Sequence, residues 1–192
     1  METEEVKADA SRRQQHQRLH VAYGNALIAA RGIGAPETTE AFARAREAAL
    51  GDKGAPERLA VHYGLWAGSS VRGDLLEMRA HAEAFLNDVE ARPDSPEAGV
   101  AHRAAGITCW FAGDYREARD QLQRALTLFE PGRDDDLAFR FGLDPGVAAM
   151  GWLAIALWPL GNVDRAISLI DQMQTRMAKR VAARVTSATS SA

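Results

Sequence analysis

A short phrase, glycine then Asp or Asn then an apolar residue, recurs along this chain as Gly73-Asp74-Leu75, Gly113-Asp114-Tyr115 and Gly161-Asn162-Val163. Each copy follows an apolar helical run and opens an amphipathic one. Glycine enters the left-handed conformation that ends a helix at low cost, and the Asp or Asn behind it can cap the next helix. A chain punctuated this way folds as antiparallel helical hairpins stacked on one another, the signature of a helical repeat.

The third pair sets the register. Its first helix is expected over about Pro96 to Ala112 and its second over Tyr115 to Phe129. In the second, Ala118, Leu122, Ala125, Leu126 and Phe129 fall on one face of a 3.6-residue helix, and Arg116, Glu117, Asp120, Gln123 and Arg124 on the other. The second pair reads as Pro56 to Arg72 and Leu75 to Glu90, the fourth as Val147 to Leu160 and Val163 to Ala178, and the first as Gln17 to Arg31 and Glu37 to Leu50. The expectation is an all-α fold of about eight helices. Residues 1–15 are expected to be a flexible segment, 16–178 the repeat domain, and 179–192, which ends rich in Ser and Thr, a disordered tail. In the long linker Glu130 to Asp144, residues Leu137, Ala138, Phe139 and Phe141 are expected to form a helical turn that packs back on the core, with Asp135 or Asp136 as its cap.

Composition narrows the function. With 192 residues, 46% hydrophobic and 26% charged, the chain has enough apolar material for one ordinary core. A net charge of −3 supplies no broad basic field, so nucleic acid is not an expected partner. Cys109 is the single cysteine, which excludes an internal disulfide and suits a reducing compartment. The N-terminal residues carry no apolar segment of a secretory signal, and a cytoplasmic location is expected. Pro145 to Val163 is uncharged, but its Pro and Gly residues break it into one short helix with flanking turns, so no membrane span is expected.

Several phrases carry a resemblance. Gly106, the Gly113-Asp114-Tyr115 turn, Ala118 and Ala125 match the loose consensus of tetratricopeptide repeats, and Gly161, Asn162 and Ala166 match it more weakly. Tyr23-Gly24-Asn25-Ala26-Leu27, Ala35-Pro36-Glu37-Thr38 with Ala41-Phe42, Tyr63-Gly64-Leu65-Trp66, Leu137 to Gly142 and Asp144-Pro145-Gly146-Val147 resemble the C-terminal tetratricopeptide-like region of large bacterial signalling proteins. Those proteins join a class III adenylate or guanylate cyclase domain to an AAA-type ATPase and then to helical repeats. The resemblance implies a right-handed solenoid with a regulatory or partner-binding role, and a protein partner such as a cyclase/ATPase polypeptide. It imports no catalysis, because the cyclase and ATPase parts lie outside this chain. The last twenty residues depart from the pattern, which reads as a truncated protein or a fragment of a longer reading frame.

Catalytic, cofactor and metal sites are not expected. No Gly-Lys pair exists to build a P-loop. Gly32-Ile33-Gly34 follows a helix rather than a strand, with Glu37 at the third glycine position of a dinucleotide fingerprint. Gly68-Ser69-Ser70-Val71-Arg72 misses the nucleophile elbow at its last residue. His16 and His20 lack a third metal ligand, and the adjacent carboxylates Asp134-Asp135-Asp136 diverge too much for a calcium loop. His62 and His102, at equivalent places in consecutive pairs, read as packing histidines with one hydrogen bond each.

In a tetratricopeptide stack the first helix of each pair lines the concave side. That geometry places Tyr63, Ser70, Arg103, Trp110 and Trp158 near one groove, an Arg among aromatics, the composition of a peptide-binding hot spot. The alternative is that Trp110 and Trp158 seal the hairpin turns. The expected function is a non-catalytic scaffold for protein–protein interaction. Its alternatives are a remnant that self-associates through its apolar C-terminal hairpin, and a piece of an adenylate cyclase whose catalytic domains lie elsewhere.

Overall fold

The computed structural model describes residues 4–48, 56–134, 137, 141 and 144–189. Among them are eight helices longer than a single turn: α1 (Glu4–Arg31), α2 (Pro36–Ala48), α3 (Pro56–Arg72), α4 (Leu75–Val89), α5 (Pro96–Phe111), α6 (Tyr115–Leu128), α7 (Pro145–Leu157) and α8 (Val163–Thr189). They pack as four antiparallel pairs, and the second helix of each pair rests on the first helix of the next. First helices also touch in succession, α1 to α3 to α5 to α7, while successive second helices approach much less. The inner side of the stack is therefore built by α1, α3, α5 and α7.

Both end helices outrun the sequence-based expectation. Helix α1 begins at Glu4 rather than near Gln17, and α8 continues past Ala178 to Thr189. The added stretches carry Ala, Glu, Lys, Arg and Gln, strong helix formers that prolong a helix without an apolar stripe in the sequence. The absence of an apolar stripe predicts no burial there; it does not predict the absence of a helix. Helix α7 starts at Pro145, two residues earlier than expected, because Asp144 caps it and a proline at the first turn loses no hydrogen bond.

The three turns share one hydrogen-bond pattern. Asp114 N–H donates to Cys109 O and Gly113 N–H to Trp110 O, both at 3.0 Å. Asp74 with Ser69, and Asn162 with Leu157, repeat the longer bond at 3.0 and 3.1 Å. This is the Schellman closure, and it requires the left-handed residue supplied by Gly113 at φ +81°. The Asp114 carboxylate then accepts Glu117 N–H at 3.1 Å, as Asp74 does for Glu77, so the residue that finishes one helix starts the next. Gly113→Val places a β-branched residue at positive φ and should cost about 1–2 kcal/mol or more, read from a urea midpoint shift. An unchanged midpoint would exclude this closure.

Close approach between helices falls at small residues. A Cβ on Gly106 of α5 would lie 2.6 Å from Leu122 Cγ, so Leu122 of α6 reaches the backbone of its partner helix. Phe42 of α2 lies between two glycines, with a Cβ on Gly24 at 2.9 Å and on Gly64 at 2.6 Å from its ring. The expected stripe of α6 is confirmed at Ala118, Leu122 and Ala125, while Leu128 is buried and Leu126 and Phe129 are half-buried. The buried residues form two clusters. Phe42, Ala45, Val61 and Leu65 join the first pair to α3, and a larger core runs from α3 to α8.

The linker between α6 and α7 is fastened at both ends. Asp134, 1% exposed, accepts Glu130 N–H at 2.9 Å and Arg133 Nε at 2.6 Å, and Arg133 Nη2 donates to Leu128 O at 2.6 Å. At the far end Asp144 caps α7 through Val147 N–H and accepts both Arg176 Nε and Nη2, at 2.9 and 2.8 Å. Between them Leu137 and Phe141 are helical and buried in the main core, as expected for a turn that packs back. Ala138 and Phe139, and the Asp135 or Asp136 cap, lie outside the described residues. No described helix is long and apolar enough to cross a membrane.

Candidate partner-binding face

The second, third and fourth pairs each contribute one or two large side chains to the inner row. Tyr63 and Trp66 come from α3, Arg103 and Trp110 from α5, and Trp152 from α7. Residues Arg103, Ile107 and Trp110 follow at i, i+4 and i+7, one face of α5. The structure brings Arg103 and Tyr63 together, with the guanidinium carbon 5.5 Å from the ring centroid, a cation–π distance. Tyr63 also meets Trp66 at 5.7 Å and, edge-on, Phe141 of the linker at 5.0 Å. Trp66 donates its indole N–H to Thr108 Oγ1 at 3.0 Å and is thereby fixed.

Arg103 is 3% exposed, and its Nε and Nη2 are buried without any hydrogen-bond partner. Trp110 is half-buried, and its Nε1 likewise has none. A sealed donor lacking an acceptor forfeits its hydration for nothing, at roughly 1–3 kcal/mol, more when charged.

Trp110 does not meet Trp158. Its ring packs against Trp152 at 5.6 Å, Phe111 at 5.2 Å and Tyr115 at 6.4 Å. Trp158, at the C-cap of α7, is 60% exposed, with no ring partner among the described residues. Ser70 is half-buried and spends its hydroxyl on Ala67 O, 2.7 Å away in its own helix. Trp152 was not among the residues expected at the groove, and Phe141 was expected to pack back on the core but not against Tyr63. Trp152 was legible as a second tryptophan one turn and a half before Trp158, whereas Phe141 reaches Tyr63 across the fold with no local signal.

The histidines sit as packing residues. His62 Nε2 lies 2.9 Å from Asp88 Oδ2, and His102 Nδ1 lies 2.7 Å from Gln121 Oε1. Asp88, 4% exposed, also accepts Arg58 Nε, so one buried carboxylate joins α3 to α4. It occupies the otherwise apolar face of α4, three residues past Phe85, which was the available signal. Burial pushes the His62 pKa below its usual 6.5, against the opposing pull of Asp88. The buried Nδ1 has no partner, which suits a bare lone pair in the neutral ring with Nε2–H directed at Asp88. Protonation would make Nδ1 an unsatisfied buried donor.

A pH effect follows. Because the folded pKa is depressed, the unfolded chain binds more protons between that value and 6.5, and stability rises with pH through the window. His81, also lowered by burial, acts in the same direction. The melting temperature should fall as pH drops from about 7.5 to about 5.5, and His62→Gln should flatten the slope. An equal slope in that variant would remove His62 from the account.

Burial also raises the Cys109 thiol, which is half-buried against the core and poorly suited to reaction. Among the described residues no group of three His, Cys, Asp or Glu side chains is placed to hold a metal ion.

This geometry defines a class of protein, a tetratricopeptide-like helical-repeat solenoid. Residues 70–130, from the end of α3 through α6, match the tetratricopeptide repeat family, and repeats of that kind mediate protein–protein interaction. No curated protein matches the chain.

Proposed function

We propose that this chain is a non-catalytic scaffold whose inner face binds an extended protein segment and that the segment places a carboxylate on Arg103. The single observation behind this reading is the pair of buried, unpartnered donors, the Arg103 guanidinium and the Trp110 indole N–H, on one face of α5. A carboxylate accepting from Arg103 would compensate the buried charge, and the rings of Tyr63, Trp110 and Trp152 would supply apolar anchorage. Ser70 and Trp158 lie at the margin of this face. The working unit is the repeat region over residues 16–178. The resemblance to cyclase–ATPase signalling proteins supports a cytoplasmic, regulatory role in which the partner is such a polypeptide.

The variant Arg103→Leu separates function from structure. Replacing an uncompensated buried charge by a leucine is often neutral or stabilising, whereas it abolishes an anion anchor. The melting temperature of Arg103→Leu should hold or rise, while a partner captured from native cells by the tagged wild-type chain is lost. A partner retained by Arg103→Leu, or a melting temperature several degrees lower, would sink the proposal.

A further inference from the structure

Inside the chain one interface recurs three times, the second helix of a pair against the first helix of the next: α2 on α3, α4 on α5, α6 on α7. At the two ends of the stack each half of that interface is left uncovered among the described residues. Counting from the turn glycine, Ile170 and Met177 of α8 stand where α6 has Leu122 and Phe129 and α4 has Ala82 and Val89. Leu122, Ala82 and Val89 are at most 4% exposed, and Phe129 seats against Gly146 of the following helix. Ile170 and Met177 are 37% and 49% exposed. Ile167, 48% exposed, stands where α4 and α6 carry Arg79 and Arg119.

Helix α1 is the complementary half. Leu19, Ala22, Tyr23, Ala26 and Ala30, at i, i+3, i+4, i+7 and i+11, form an apolar stripe that is exposed throughout, with Tyr23 at 57%. Among the described residues no second helix covers it as α2, α4 and α6 cover α3, α5 and α7. Its alanines allow close helix approach. The ends also carry opposite charges in the antiparallel sense of the internal interfaces: Asp164 in the first turn of α8 and Arg31 in the last turn of α1.

We infer that α8 of one copy stacks on α1 of a second copy, continuing the solenoid head to tail across the chain boundary. Such a heterologous contact leaves one α8 face and one α1 face unused on a dimer, so association proceeds past it. The inference is independent of the inner face, since none of these residues touches Arg103 or Trp110.

The test uses the full 192-residue chain in sedimentation velocity across a concentration series, with circular dichroism as the folding control. The expected result is a mass that grows with concentration beyond that of a dimer. Ile170→Lys, at a position that α4 and α6 fill with the buried Ala82 and Leu122, and Tyr23→Lys are both surface changes. Each alone should raise the concentration at which association begins by about tenfold or more. Mixed together they should form one-to-one dimers and stop, because only one intact α8 face meets one intact α1 face. A monomer at every concentration, or a wild-type dimer that Tyr23→Lys leaves untouched, would overturn the inference.

Discussion

Phe42→Ala is expected to cost about 3–5 kcal/mol and to split unfolding into two steps. The Phe42 ring is 1% exposed and fills the space opened by Gly24 on α1 and Gly64 on α3, so its removal leaves a cavity that two helix backbones must collapse to fill. It is also the largest member of the small cluster, with Ala45, Val61 and Leu65, that ties the first pair to the rest. In a stack where each unit contacts only its neighbours, losing that tie releases the end pair first. Denaturant unfolding followed by far-ultraviolet circular dichroism should show a low first transition from α1 and α2, then one near the wild-type midpoint. A single transition at the wild-type midpoint would mean that the first pair is held by something else.

Leu122→Ala is expected to act differently, at about 2–5 kcal/mol and in one step. Leu122 is fully buried, and its side chain occupies the space left by the missing Cβ of Gly106. It belongs to the main core that runs from α3 to α8, so its loss weakens the central pair on which both flanking pairs rest. The whole transition should move to lower denaturant with its slope unchanged. Restoring volume from the other side tests the contact directly: Gly106→Ala in the Leu122→Ala background should recover part of the loss, while Gly106→Ala alone should destabilise. Simple additivity of the two changes would show that these positions do not touch.

Most of the fold was legible because its signals are local. The turn glycines, their Asp or Asn successors and the stripe of α6 act over a few residues, through hydrogen bonds and caps that any helical hairpin needs. Legibility failed where helix propensity acts without an apolar stripe in the sequence: α1 begins at Glu4 and α8 runs to Thr189. The inner face was half legible. Equivalent positions in successive pairs placed Tyr63 beside Arg103, but Trp110 takes Trp152 as its partner and leaves Trp158 exposed. Trp152 and Trp158 stand six residues apart on different faces of α7, so the way α7 packs against α5 decides which of them Trp110 meets.

The sequence by itself determined the helical pairs, their order and their turns, since these rest on backbone bonds closed within six residues. Only the tertiary structure decided the rest. Asp88 meets His62 and Arg58 across two helices, Phe141 returns to Tyr63 from a linker, and Arg103 keeps its Nε and Nη2 buried without an acceptor. Each depends on the angle and translation between packed helices, which no local pattern specifies, and it is there that the chemistry of this protein's surface is set.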